Sequence, residues 1–138
     1  MASRRTLLAA MLAAGLDLAA KPGRTPGLVL ILAPSNLGLR PGSAEAEPGA
    51  WRAPEVLVQA GLARRLSPIA TAMMKRPAYR RGAEPGTRVR NGHSIRRFSL
   101  MLADRIENAL SHGHFPVVIG GDCSILLGCL LGGRRSGR

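Results

Sequence analysis

The residues best suited to chemistry lie in one short segment, Gly120-Gly121-Asp122-Cys123-Ser124, which follows an apolar run that ends at Ile119. Two adjacent glycines allow backbone angles that a side chain forbids, so the chain can turn there and present the next side chains at the rim of a sheet. Asp122 could then hold backbone amides of the loop, and the Ser124 hydroxyl could cap a following helix. The same pattern is also consistent with a capped turn that carries no chemistry.

Few other side chains could complete a site with this segment. We expect the three histidines, His93, His112 and His114, in exposed positions at the two ends of a predicted long helix. The spacing of Cys123 and Cys129 matches neither a C-x-x-C pair nor a zinc pattern, which predicts two buried thiols in a reducing compartment. Cys123 could chelate zinc with His112 or His114 only if the fold brought them together. A phosphate-binding loop is not indicated, because neither G-x-G-x-x-G nor a P-loop lysine is present.

Strands of a parallel sheet are the elements expected to position the glycine segment. Leu28–Leu32 and Phe115–Ile119 are continuous apolar runs, as in strands that helices cover on both faces. A weaker apolar stretch, Ile69–Met74, predicts a further strand or a turn. Since helical patterns alternate with these runs, the sequence predicts an α/β fold.

The helices of this fold are predicted from the spacing of apolar residues. They recur at three- and four-residue steps from Ser94 to Leu110, and Gly113 ends that helix. Pro54 is suited to the first turn of a shorter helix of about ten residues, which a flexible acidic insert, Ser43–Gly49, precedes. A last helix is predicted to begin near Ser124. The predicted buried face of the shorter helix consists of Val56, Leu57, Ala60 and Ala63.

The segment Pro116–Ser124 resembles the Gly-Gly-Asp-His-Ser strand end of the ureohydrolases, the family of arginase, agmatinase and formiminoglutamase. Three upstream segments agree with the resemblance in the same order along the chain. They are Ser35-Asn36-Leu37-Gly38, Gly49–Pro54 and Asn91-Gly92-His93. The resemblance covers Gly27 to Leu131.

This resemblance implies a three-layer α/β/α fold with a parallel sheet. It also implies a pair of manganese ions that activate a hydroxide, which attacks a guanidino or amidino small molecule. Cys123 occupies the position of the family's first histidine ligand, so it is the one candidate metal ligand. A thiolate suits zinc or softer metals better than manganese, which puts the usual metal site in doubt.

The remaining ligands of the family lie in an Asp-x-His-x-Asp run and a later Asp-x-Asp run, and neither occurs here. The only aspartates are Asp17, Asp104 and Asp122. We therefore expect an incomplete, truncated amino-terminal part of an arginase-like protein, with no catalytic residues of its own and no activity by itself. Its sheet would keep unpaired strand edges, from which we expect self-association.

Three regions are expected along the chain. Residues 1–26 form an amino-terminal helix with a targeting-like start, residues 27–131 form the arginase-like part, and residues 132–138 form a basic tail. The start resembles a twin-arginine export signal, but Asp17 interrupts its apolar run, so we favour a soluble helix and a cytoplasmic protein. No segment approaches the roughly 20 apolar residues of a membrane span.

The chain is strongly basic, with a formal charge of +12, and arginine supplies all of the 20 basic residues except Lys21 and Lys75. The arginines form scattered pairs, and such a bias together with abundant alanine and glycine is typical of a GC-rich coding sequence. The alternative is a small basic protein that binds nucleic acid or anionic surfaces. With 3% aromatic residues to stack on bases, we expect no specific binding of nucleic acid.

Overall fold

The computed structural model describes residues 25–43 and 46–138, and these residues form a parallel sheet with helices on both sides. The strands are β1 (Leu28–Ala33), β2 (Ala70–Met73) and β3 (Phe115–Gly120). Their spatial order is β2-β1-β3, and both pairings of the central β1 are parallel. The strands expected from the apolar runs are therefore confirmed. The expectations for residues 1–24 lie outside the described residues.

The helices of the described ranges follow the strands in alternation. They are α1 (Ala53–Gln59), α2 (Leu62–Leu66), α3 (Gly92–Ser111) and α4 (Leu126–Arg135). A 3-10 turn precedes α1 at Gly49–Arg52, and another precedes α4 at Cys123–Ile125. In this part of the chain no helix has the length and apolar character needed to cross a membrane. The predicted long helix is confirmed as α3, and α4 continues into the segment expected to form a basic tail.

The order of the strands fixes the layers. The chain moves from β1 to β2 in one direction across the sheet and from β2 to β3 in the other. Because crossovers between parallel strands are right-handed, the two connections lie on opposite faces of the sheet. One face therefore carries α1 and α2, and the other carries α3 with α4 packed against it. This is the three-layer α/β/α arrangement that the resemblance implies.

The core surrounds β1, in which the side chains from Leu30 to Ala33 are buried on both faces. On one face, Ile31 and Ala33 join a cluster with the α3 residues Phe98, Leu102 and Ile106. β3 is less well covered than the sequence predicts, and 58% of Phe115 is exposed. The reason is that β3, within the described residues, has a neighbouring strand on one side only.

The predicted helix after Pro54 is wrong in its length and in its buried face. Gly61 adopts a left-handed conformation, with φ of 95°, which ends the first helix and separates α1 from α2. Pro54 is buried in the first turn of α1, whereas Val56 and Leu57 are exposed. A helix of two turns presents too little surface for the stripe that a longer amphipathic helix would bury. Val56, Leu57, Ala60 and Ala63 would share one face only in a continuous helix. The helix is interrupted at Gly61, so that face does not form.

Two buried glycines let α4 lie close against α3. A Cβ on Gly128 would come within 2.8 Å of the Ser99 carbonyl oxygen. A Cβ on Gly132, one turn later, would lie 2.8 Å from the Ala103 carbonyl oxygen and 2.8 Å from the Ile106 Cβ. Any side chain at these positions would push the two helices apart.

We predict that Gly132→Ala destabilises the protein by about 1–3 kcal/mol, because the added methyl group overpacks the contact between α3 and α4. Gly133→Ala is the matched control, since its Cβ would meet only the Arg138 carbonyl oxygen at 3.9 Å. That control should stabilise α4 by up to about 1 kcal/mol through helix propensity. Urea unfolding of the three proteins measures both effects. Equal stabilisation by the two substitutions would show that the helices do not meet at Gly132.

Candidate functional site

The candidate site lies where the carboxyl-terminal ends of β1 and β3 meet. The chain leaves β1 towards the face that carries α1 and leaves β3 towards the face that carries α4. In an open α/β sheet, the crevice between two such strands is the usual place for a ligand. Two loops border it here, the β1 loop (residues 34–39) and the β3 loop (residues 121–124).

The Asp122 carboxylate joins these two loops. Its Oδ2 accepts a hydrogen bond of 2.7 Å from the Gly38 backbone N–H, and its Oδ1 accepts one of 2.9 Å from the Ser124 hydroxyl. The Ser124 and Ser35 hydroxyl oxygens lie 3.1 Å apart. Since Ser124 donates to Asp122, Ser35 must donate to Ser124, and the Leu37 N–H completes the chain by donating to Ser35 over 3.3 Å. Both carboxylate oxygens thus accept a hydrogen bond, and the bond from Gly38 joins the two loops that border the crevice.

The roles expected for Asp122 and Ser124 change in this arrangement. Asp122 does hold a backbone amide, but the amide belongs to the β1 loop and not to its own loop. Ser124 caps no helix, because its hydroxyl is directed to Asp122 and Ser35. A polar group from a distant loop competes successfully with the local capping geometry, and sequence spacing does not show such a partner.

Gly120 and Gly121 serve close packing at this point. A Cβ on Gly121 would lie 2.1 Å from the Ser35 carbonyl oxygen and 2.6 Å from that of Ala50. A Cβ on Gly120 would lie 2.1 Å from the Ile125 Cδ1. Neither glycine has a positive φ. The two glycines thus let other parts of the chain approach the strand end, which differs from the special backbone angles predicted for them.

A second polar cluster, which sequence analysis missed, ties the segment before α1 to the strand ends. The amide of the fully buried Asn36 donates hydrogen bonds of 2.8 Å to the Glu47 Oε1 and to the Pro48 carbonyl oxygen. Glu47 also forms an ion pair with Arg76, which follows β2. The Asn36 hydrogen bond, together with Arg76, lowers the pKa of Glu47. The end of the expected flexible acidic insert is therefore fixed to two strand ends.

Trp51 extends this cluster. The Arg76 guanidinium lies 3.8 Å from the centre of the Trp51 ring, and the Arg52 guanidinium lies 4.5 Å from it. An arginine stacked on the face of an indole is stabilised by the ring's quadrupole. One available sequence signal was the scarcity of acids, because a glutamate in a strongly basic chain has many arginines as possible partners.

Asn91 holds the β1 loop from the other side. It is buried in a left-handed conformation, with φ of 56°, and its amide donates a hydrogen bond of 3.1 Å to the Leu37 carbonyl oxygen. Its side-chain oxygen accepts one of 2.6 Å from the Arg80 N–H. The Tyr79 hydroxyl donates to the Leu39 carbonyl oxygen over 2.8 Å. Asparagine adopts the left-handed backbone conformation more readily than most residues, which explains why an asparagine is suited to position 91.

The two cysteines differ from the prediction of two buried thiols. Cys123 is exposed because it lies in the 3-10 turn at the rim of the sheet, whereas Cys129 is half-buried. Burial raises the pKa of the Cys129 thiol.

The histidines cannot join Cys123 in a chelate. His112 and His114 stack with ring centres 6.3 Å apart next to the amino-terminal end of β3, and Cys123 follows its carboxyl-terminal end. A strand of this length separates them by roughly 20 Å. His93 is in the first turn of α3, where its Nδ1 lies 2.5 Å from the Glu84 Oε2.

A metal centre does not fit the described residues. Within residues 25–43 and 46–138, no group of three or more histidine, cysteine, aspartate or glutamate side chains could hold a metal ion. The carboxylate adjacent to Cys123 is Asp122, whose two oxygens already accept hydrogen bonds. The pair of manganese ions implied by the resemblance therefore has no ligand set here.

We predict that Asp122→Asn destabilises the protein by about 1–3 kcal/mol, because the neutral amide has one acceptor oxygen where the carboxylate accepts two charge-assisted hydrogen bonds. Asp104→Asn is the matched control, since Asp104 is exposed and pairs with Arg135 at the surface. It should cost at most about 1 kcal/mol. Denaturant unfolding gives the free energy of each variant. A loss no larger than that of the control would contradict the role of Asp122.

Comparisons with known proteins identify the fold. Neither a protein-family model nor a curated protein matches the sequence. Among solved structures, the arginase from Bacillus cereus superposes with a TM-score of 0.61 at 25% identity, covering 80% of this chain and 35% of that one. An arginase structure from Bacillus subtilis subsp. subtilis str. 168 gives 0.60 at 25% identity, with coverage of 80% and 35%. The arginase from Bacillus caldovelox gives 0.58 at 24% identity, with coverage of 78% and 36%.

The strand order, the hydrogen bonds of Asp122 at the carboxyl-terminal end of β3 and these superpositions all support the same fold. The chain therefore has the fold of the arginases and spans about a third of the length of an arginase chain.

Proposed function

We propose that residues 27–131 are the amino-terminal part of a cytoplasmic ureohydrolase-type protein whose whole form hydrolyses a guanidino or amidino C–N bond. The observation that carries this proposal is the match of about 80% of the chain to about a third of an arginase. The order of the matching segments supports the amino-terminal assignment. They run from Ser35-Asn36-Leu37-Gly38 through Asn91-Gly92-His93 to the Gly120–Ser124 rim.

In this proposal the described residues build a scaffold for the reaction. Asp122 and Ser124 hold the β1 loop against the β3 loop, which keeps the rim of the sheet rigid. Cys123 follows on the exposed side of that rim, at the position where the family has its first histidine ligand. The manganese chemistry of the family would need carboxylates from outside the described residues. The described residues therefore supply at most one ligand position, and we propose that they carry out no hydrolytic step by themselves.

Two uncovered surfaces of the fold support the proposal that the whole protein contains further residues that cover them. Within the described residues, β3 pairs only with β1, so its other edge has unsatisfied backbone groups. The outer face of α4 exposes Leu126, Leu127 and Leu130, the last with 71% of its surface accessible. An open strand edge beside an apolar helix face is a template for association. We accordingly propose that the isolated 138-residue chain self-associates.

The arginase-like fold does not favour the alternative of a nucleic-acid-binding protein. The described arginines are distributed over both sides of the sheet, and Arg76 and Arg135 form ion pairs with acids.

We predict that the purified chain releases no urea or formamide from arginine, agmatine or formiminoglutamate in the presence of manganese. The reason is that the ligand set for a metal-activated hydroxide is missing from the described residues. The Bacillus cereus arginase, assayed in parallel with arginine, is the positive control. Turnover above background that Cys123→Ser abolishes would contradict the proposal that this chain is only a scaffold.

A chimera tests the family function directly. The segment of the Bacillus cereus arginase that matches this chain is replaced by residues 27–131, once with Cys123 and once with Cys123→His. Manganese content and urea release are measured after circular dichroism confirms folding. We expect the Cys123→His chimera to bind more manganese and to release urea at least about 10-fold faster, because imidazole is the harder ligand. A folded Cys123→His chimera with neither metal nor activity would contradict the assignment.

A further inference from the structure

A groove of about 360 Å³ lies beside the β1 loop, and it shares only Gly38 and Leu37 with the hydrogen bonds of Asp122, Ser124 and Ser35. Leu39 and Ile95 give it a small apolar surface, and Leu37 lies buried behind them. Three arginines also line it, namely Arg40, which directly follows the β1 loop, and Arg88 and Arg90 from the segment before α3. One groove thus combines an apolar surface with three positive charges.

The three charges have no acidic partner within the described residues. Within the described residues, no hydrogen bond or ion pair of the Arg40, Arg88 or Arg90 guanidinium is found. The acids of that part of the chain have other partners: Glu47 pairs with Arg76, Glu55 with Gln59, Glu84 with His93, Asp104 and Glu107 with Arg135, and Asp122 with the β1 loop. Like charges that share a groove repel each other, and an anion between them would remove that repulsion.

The chain holds the two arginine-bearing segments next to each other. Asn91 and Tyr79 donate hydrogen bonds to the carbonyl oxygens of Leu37 and Leu39, the residues just before Arg40. On the other segment, a β-bridge between Ala83 and Arg90 closes a short hairpin that contains Arg88. The backbone that carries the arginines is therefore positioned before any ligand binds, which reduces the entropy that binding would cost.

We propose that this groove binds a small anion with at least two carboxylate or phosphate groups on a compact apolar body. A guanidinium forms two parallel hydrogen bonds with a carboxylate or a phosphate, so three arginines suit a ligand with more than one such group. The apolar walls suit the remainder of the ligand, and the volume is at the small end of the range for small-molecule pockets. This binding does not depend on the hydrolytic function proposed above.

Isothermal titration of the full-length chain with pyrophosphate, citrate and phthalate tests the proposal. Pyrophosphate represents phosphorylated ligands, citrate represents polycarboxylates, and phthalate adds an apolar ring to two carboxylates. We expect binding of at least one probe, tightest for phthalate if the apolar walls contribute. Arg40→Gln, Arg88→Gln and Arg90→Gln should each weaken it about tenfold.

The matched controls are Arg64→Gln and Arg65→Gln, which remove exposed arginines of α2 that have no ion pair in the described part of the chain. These variants should change the affinity less than about twofold, since they leave the groove intact. Thermal unfolding confirms that each variant is folded. An equal loss in the control variants would overturn the proposal in favour of diffuse attraction by the net charge. The absence of binding of all three probes to the folded chain at low salt would also overturn it.

Discussion

The hydrogen bonds of the Asp122 carboxylate determine how the two central strand ends meet. The carboxylate accepts from the β1 loop through the Gly38 N–H and from its own loop through Ser124. Because the loops approach so closely, Gly121 has no room for a side chain. The same approach puts Cys123 on the exposed rim and brings the β1 loop within reach of Asn91. One carboxylate thus connects the two loops at the carboxyl-terminal ends of β1 and β3.

Charge is distributed over this fold unevenly. The chain has 8 acidic residues and 20 basic ones, so each acidic side chain has several basic side chains as possible partners. Glu47 joins the segment before α1 to the end of β2 through Arg76, and Glu84 joins a hairpin to the start of α3 through His93. The acids serve to connect segments, and the surplus arginines remain at the surface. The groove beside the β1 loop is where three of them meet without a compensating acid.

The sequence predicted those features that depend on local pattern. The buried β1, the amphipathic α3 and the double-glycine strand end all have a period or a composition that is visible within a few residues. The polar contacts that build the site could not be predicted, because they join residues far apart in the chain. Ser35 and Ser124 are 89 positions apart, and Asn91 and Leu37 are 54 positions apart. The break at Gly61 was missed because a lone glycine inside a helical pattern is compatible with both a continuous and an interrupted helix.

The glycines of α4 also bear on the dynamics of the fold. Gly128, Gly132 and Gly133 make up three of the ten residues of this helix, and each costs about 1 kcal/mol of helix propensity relative to alanine. A helix so short and so rich in glycine does not persist in water by itself, so its helical state is maintained by its contact with α3. When α4 separates from α3, the helical conformation of α4 is no longer stable. The carboxyl-terminal segment from Leu126 to Arg135 should therefore act as one cooperative unit of local unfolding, with amide exchange faster than that of α3.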